Sequence, residues 1–383
     1  MPPLPPQRHG TTVLIRKRPL QFSYWPMYRS TRRYGLQSVL FALDPWVIIR
    51  QSIATRCPKP AQPEALAYLR QARDFHNAAT LADVTAARPL LLYYCFMNLV
   101  KAYILTVEQR PALPQAMHGL SERLPATGKE LIDAYLEAYQ SPAQNGDLNI
   151  FDEFLCAIGA TPLSAQTRYH LLSLMPQVLP SHRVWAGAAT KTERFISVHD
   201  LFFCENRDAK EVWLSLYLYA DDLARLGVAH QALLAESMLD DSFREVRLPS
   251  DVKAVGGRKL ICFEQTTPLN YTHRAADEIA QLAASTKHAL WTIVSTMSPY
   301  RRYYLYPAPV MEHAEVLPQL ASAYAVMYYL GSITRYRPHH LSSILEGRYG
   351  AFIEEFISSQ PLQFIYLMAS EFARREVTRP AIV

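Results

Sequence analysis

YAVMYYLGSITRYRPHHLSSIL, residues 324–345, runs an apolar, aromatic stretch into two arginines, two histidines and one proline. Up to Thr334 the residues are apolar or small on every side, which predicts a central helix. On an unbroken helix Arg335 and His339 share a face, whereas Arg335 and His340 stand about 140° apart. Pro338 disfavours helical geometry at Arg337 and has no backbone N–H, so it predicts a break there. A second helix then begins at Pro338 and carries His339 and His340 in its first turn. Across such a break Arg335 and His340 can converge.

An imidazole beside a guanidinium suits phosphodiester chemistry. Histidine moves a proton near neutral pH, and arginine stabilises charge on the phosphorane. A ribose 2′-hydroxyl nucleophile needs no metal. Arg335 and His340 are therefore the candidate catalytic pair, with His339 in reserve and Arg337 and Tyr336 as substrate-binding residues. The competing reading has the arginines capping helix carbonyls or pairing with acids such as Glu346, and the histidines packing at an element boundary.

Outward from this stretch, residues 64–79 place Leu66, Leu69, Ala72, Phe75 and Ala79 at helical spacing. Residues 90–105, LLLYYCFMNLVKAYIL, follow Pro89 and form a second core helix. Asn98 and Lys101 are its only strongly polar positions, three apart and on one face with Tyr94, which makes them further substrate-binding candidates. A snorkelling lysine and a hydrogen-bonded asparagine would explain them equally. His118-Gly119 marks a turn, and a helix is expected near 128–139. Residues 140–210 read as short helices and loops. The period then changes: 211–220, 243–248, 258–264, 289–295 and 301–307 read as strands, with a helix over 272–287.

Of the 383 residues half are hydrophobic and 19% are charged, which fits a folded globular chain. No uninterrupted apolar run of about 18 residues predicts a membrane span, and no secretory signal is expected. Five scattered cysteines lack metal-ligand spacing, so the reading is a reducing, cytoplasmic setting with no metal and no cofactor. Residues 1–60 carry ten basic residues against one acid, Asp44; the rest carry 29 against 33. In that aromatic, Pro-rich arm Arg16, Lys17, Arg18, Arg32 and Arg33 are candidate nucleic-acid contacts, unless the arm packs its rings on the body. Phosphate-cradling glycine loops, GxSxG and HExxH are all absent.

ALAYLRQARDF, ARPLLLYYCFMNLVKAYIL, MHGL and YYLGSITRYRP, in that order, resemble the YaaC-like family of bacterial proteins over roughly residues 35–375. A looser likeness, in the tyrosine pair, Lys-Ala and following His-Gly, is to HEPN helical domains. Many of those are metal-independent RNases with an R-x(4–6)-H motif. Arg335 to His340 matches R-x4-H by count, but Tyr336 replaces the usual Asn, His or Asp, and Pro338 interrupts the motif. The likeness implies an RNase, as a stress or phage-defence effector, and a homodimer with a site at its two-fold interface. It implies equally a non-catalytic RNA-binding or protein-assembly module, with a partner protein encoded elsewhere. No membrane partner is expected.

The resulting expectation is an α+β chain with a mainly helical, HEPN-like core. Its parts are an arm over 1–60, a helical region over 61–205, a mixed α/β insertion with a small sheet over 206–310, and helices over 311–383 that complete the core.

Overall fold

The computed structural model describes residues 3–381 except 16, 27–38, 82–83, 108–111, 114, 126–129, 143–146 and 250–253. Arg16, Arg32 and Arg33 therefore lie outside the described residues. The chain forms two units: a sheet unit of Met1–Phe41, Arg194–His313 and Arg374–Val383, and a helix-rich unit of Ala42–Glu193 and Ala314–Ala373.

The helix-rich unit begins with α1 (Pro45–Arg56), which starts where the Asp44 carboxylate accepts the Trp46 N–H at 3.0 Å. It buries Trp46, Ile49 and Ile53. Next come α2 (Gln62–Ala79) and α3 (Arg88–Val107). Between Leu92 and Thr106 only Tyr94 and Lys101 escape burial on α3. By length and composition α3 could cross a membrane, but 72% of its apolar window is buried within the fold. The stretch at 324–345 becomes α4 (Gln319–Tyr336) and α5 (Pro338–Glu346), parted at Arg337. The break falls where Pro338 predicts it. α6 (Gly350–Ala373) follows and stacks Phe364 on Phe96 of α3 at 3.8 Å.

α3 packs along α2 and α4. The approach to α4 is close because residue 331 is glycine. A Cβ there would sit 2.5 Å from the Tyr93 Cβ, inside van der Waals contact.

Among the described residues five short strands also belong to this unit. Gln115–Met117 pairs in parallel with Asp147–Asn149, and Tyr135–Ala138 lies between Leu120–Arg123 and Thr167–His170. Where a helix was expected near 128–139, the described residues form one 3-10 turn at Leu131–Asp133 and then the strand Tyr135–Ala138. Leu136 and Ala138 are both fully buried, and pairing with two neighbours outweighs local helix propensity.

In the sheet unit, strands β1 (Thr11–Thr12), β2 (Val39–Phe41), β3 (Ile196–Asn206), β4 (Glu211–Tyr219), β5 (Phe243–Val246), β6 (Arg258–Gln265), β7 (Leu290–Val294), β8 (Arg301–Leu305) and β9 (Glu376–Thr378) carry most of the architecture. A nine-stranded sheet runs in the order β5-β6-β4-β3-β8-β7, with β1 added on β3 and two short strands on β4 and β6. Each of its pairings is antiparallel. β9 and β2 form a separate parallel pair. The core includes Phe203, Leu214, Leu216, Leu218, Phe263 and Ile279. Val13, Leu20 and Phe22 join it and Tyr24 packs against it, so this part of the arm packs on the body of the unit. Lys17, in a left-handed turn, and Arg18 are exposed.

The expectation of a mainly helical HEPN-like core is overturned. The chain is mixed α/β, with a large antiparallel sheet in one unit and strands within the other. β3, unlike the strands expected at 211–220 and 258–264, was not anticipated, and its geometry shows why. Its register shifts between Val198 and Asp200, leaving His199 as an extra residue. The core-facing positions Ile196 and Val198 are followed by Leu201 and Phe203, and the alternation that marks a strand loses its phase.

Candidate functional site

Gly331 brings α4 against Tyr93, and one turn later Arg335 reaches the next tyrosine of α3. Its Nη1 donates to the Tyr94 hydroxyl at 2.7 Å, and its guanidinium also lies 5.0 Å from the Tyr336 ring centroid. Tyr94 is held by stacking on Phe75 of α2 at 5.3 Å. Tyr93 turns the other way, and its hydroxyl is 2.5 Å from His118 Nδ1. His118 precedes Gly119, whose φ of +76° favours glycine and whose missing Cβ would meet the Phe151 nitrogen at 3.0 Å. The His118 carbonyl accepts the Phe151 N–H at 3.3 Å. Backbone and ring are thus both anchored.

Tyr94, Asn98 and Lys101 occupy one face of α3. Lys101 lies 5.3 Å from the Tyr68 ring centroid. Burial lowers its pKa, partly offset by Glu64. Asn98 is only 2% exposed, and its Nδ2 has no partner among the described residues. A buried amide donor of this kind costs free energy unless something accepts from it.

Burial lowers the pKa of His118, and the charges of Lys101 and Arg335 lower it further. The imidazole is therefore neutral at physiological pH, with two cations in electrostatic reach. Burial pushes the Tyr93 phenol well above its ordinary value, so it stays protonated. When His118 donates its Nδ1 proton to the Tyr93 oxygen, Nε2 keeps a lone pair and is a base.

The other predicted residues fall elsewhere. Arg337 pairs with Glu122 at 2.9 Å. That carboxylate also accepts from Ser332 at 2.8 Å. Tyr336 is 61% exposed. His339 and His340 meet edge to face at 4.2 Å, and the His340 N–H donates to the Arg337 carbonyl. Burial, His339 and Arg337 lower the pKa of His340, and its Nδ1 has no partner among the described residues. Arg335 and His340 share no hydrogen bond or ring contact among the described residues; the imidazole in Arg335's electrostatic reach is His118. Asn98, Lys101 and Arg335 do gather around one face. His118 was legible only as a turn marker, although a His-Gly following the tyrosine-led helix was the available signal.

No group of three or more His, Cys, Asp or Glu side chains suited to a metal occurs among the described residues. The family model described as YaaC-like Protein matches residues 48–372. No curated protein and no solved structure matches the chain.

Proposed function

The chain belongs to the YaaC-like family, and from that premise we propose that its helix-rich unit binds and cleaves RNA without a metal, at the face formed by Lys101, His118 and Arg335. One observation carries the reading: a neutral, anchored imidazole stands within reach of two cations that form no ion pair among the described residues, Glu64 acting on Lys101 only at longer range, beside an amide donor with no acceptor among those residues. That set matches a phosphodiester, which brings negative charge and several acceptor oxygens.

His118 Nε2 takes the proton of the ribose 2′-hydroxyl as its oxygen attacks phosphorus. The bond to the 5′-oxygen breaks, and water protonates that leaving group. Arg335 and Lys101 offset the charge on the phosphorane. The products are a 2′,3′-cyclic phosphate and a 5′-hydroxyl. His118 takes the role that sequence reasoning assigned to His340.

The test is cleavage of an RNA oligonucleotide in EDTA, with the termini identified by mass spectrometry. His118→Ala and Arg335→Ala are expected to reduce the rate by about 10²- to 10⁴-fold with folding intact, and His340→Ala to leave it largely unchanged. Loss in His340→Ala alone returns the base to His340. Salt-sensitive RNA binding without cleavage, weakened in Arg335→Ala, establishes the alternative of a non-catalytic RNA-binding module.

A further inference from the structure

The sheet unit contains a cleft of about 500 Å³ where β3 and β8 part company. The two strands pair only at Ile196–Leu305 and Ser197–Tyr304. Beyond that point β3 bulges at His199, and its next partner on that edge is the bridge from Gln21 to Phe202. The cleft opens in this gap. Its volume lies within the range of about 300–1,000 Å³ typical of small-molecule sites.

The bulge changes which side chains the cleft receives. Successive strand residues normally face opposite ways, but the extra residue puts His199 and Asp200 together, with His199 Nε2 at 3.3 Å from Asp200 Oδ2. His199 packs on the Tyr219 ring at 4.7 Å, and Arg258 covers that ring at 3.7 Å. Tyr219 is thereby held in place as part of the cleft wall.

On the β8 side, Tyr303 donates to Glu376, and Arg301 donates to the Val377 carbonyl at 2.8 Å. Glu376 is 4% exposed, and burial keeps its pKa raised despite Arg301 and the Tyr303 and Ser23 hydroxyls. Glu376 is thus engaged by Tyr303, with Arg301 Nε 4.0 Å away. Asp200 is different: it is half-exposed, it pairs with His199, and burial raises its pKa against the pull of that imidazole. Arg302 is exposed on the lining and has no hydrogen-bond or ion-pair partner among the described residues. The cleft therefore offers an acceptor carboxylate, a free guanidinium and the rings of Tyr219, Tyr300 and Tyr303.

We infer that this cleft is a nucleotide-binding site, with the tyrosine rings packing on the base, Asp200 accepting its N–H donors and Arg302 pairing with the phosphate. Rings alone would suit any apolar ligand, and a carboxylate with rings would suit an amine. A base joined to a phosphate presents a flat ring, N–H donors and an anion together, and so meets all three features of the lining. The inference does not rest on the RNase reading, which concerns other residues in the other unit.

The experiment is isothermal titration of the full chain with the four ribonucleoside 5′-monophosphates and the matching nucleosides. At least one nucleotide is expected to bind. Asp200→Asn and Arg302→Ala should each weaken it by at least about tenfold with unchanged circular dichroism. Arg302→Ala should leave the weaker binding of the nucleoside unaltered, because that ligand has no phosphate. Absence of binding by all four nucleotides to the folded protein overturns the inference. So does binding that survives both substitutions or is abolished by Arg335→Ala.

Discussion

Glu122 in the helix-rich unit is partly buried and Glu376 in the sheet unit fully so, each beside a tyrosine and an arginine, yet their pKa values move in opposite directions. Burial favours the protonated form of each. At Glu122 that push is outweighed by hydrogen bonds from Ser332, its own backbone and Arg337, and the carboxyl falls below its ordinary range. At Glu376 the nearest arginine nitrogen is 4.0 Å away, and Arg301 with the Tyr303 and Ser23 hydroxyls offsets burial only in part. Both carboxyls accept direct hydrogen bonds; the difference is that Glu376 is more deeply buried and that only Glu122 accepts from a charged guanidinium. The consequences for the two sites differ. Glu122 engages Arg337 and leaves Arg335, bonded to the Tyr94 hydroxyl, as a cation available to a ligand. Glu376 is occupied by Tyr303 and Arg301, and Asp200 is left as the accessible carboxylate of the cleft.

The largest expected effect separates the two units by activity. The loss of EDTA-resistant RNA cleavage in His118→Ala and Arg335→Ala should have no counterpart in Asp200→Asn, measured under the same conditions. Equal losses in all three would erase the functional division.

Next in size is Gly331→Ala. Its methyl group would overlap Tyr93, so stability should fall by about 1–3 kcal/mol in denaturant unfolding. Cleavage should weaken as Arg335 moves from Tyr94. A neutral result would show that α3 and α4 have room to part.

The carboxyl comparison itself is tested by Glu122→Gln and Glu376→Gln. The first should cost about 1–2 kcal/mol at pH 7, a figure kept modest because Arg337 is partly exposed. The stabilisation from Glu122 is present above the ordinary carboxylate value of 4.5 and is lost as pH falls through its lower folded value. Glu376 has the reverse sign. Its contribution is present below 4.5 and is lost as pH rises through its raised folded value. Glu376→Gln should therefore gain stability relative to the parent as pH increases, because glutamine never places an anion in the buried position. Parallel pH profiles for the two variants would contradict the assignment.

The smallest effect is spectroscopic. Replacing Arg335 by Gln removes a positive neighbour, so an NMR titration should show the His118 pKa rising toward its ordinary 6.5. Lys101→Gln should shift it in the same direction. No movement in either would place both cations too far away to act on the imidazole.

Much of this architecture was readable where pattern and punctuation agree. The apolar run after Pro89 reads as a buried helix because it is apolar almost all round, and Pro338 marks the α4–α5 break because it cannot donate an N–H to the preceding turn. Strands β4 and β6 were legible from their large apolar residues. β3 was not, because a single extra residue reverses its alternation midway. Tyr135–Ala138 was missed because its partners on both sides are distant in sequence or separated by loops.

The candidate site divides along the same line. Helical spacing by itself places Tyr94, Asn98 and Lys101 on one face, and Arg335 near the end of its helix, since 3.6 residues per turn is a local property. Which element covers that face is not local. Arg335 meets Tyr94 across 241 residues of sequence, and His118 enters from a turn whose position depends on Gly119 and Phe151. Spacing favoured His340 as arginine's partner because it is five residues away. Tertiary packing instead sets Arg335 on Tyr94, where Gly331 lets the two helices approach, and holds His118 on Tyr93 within electrostatic reach of that guanidinium.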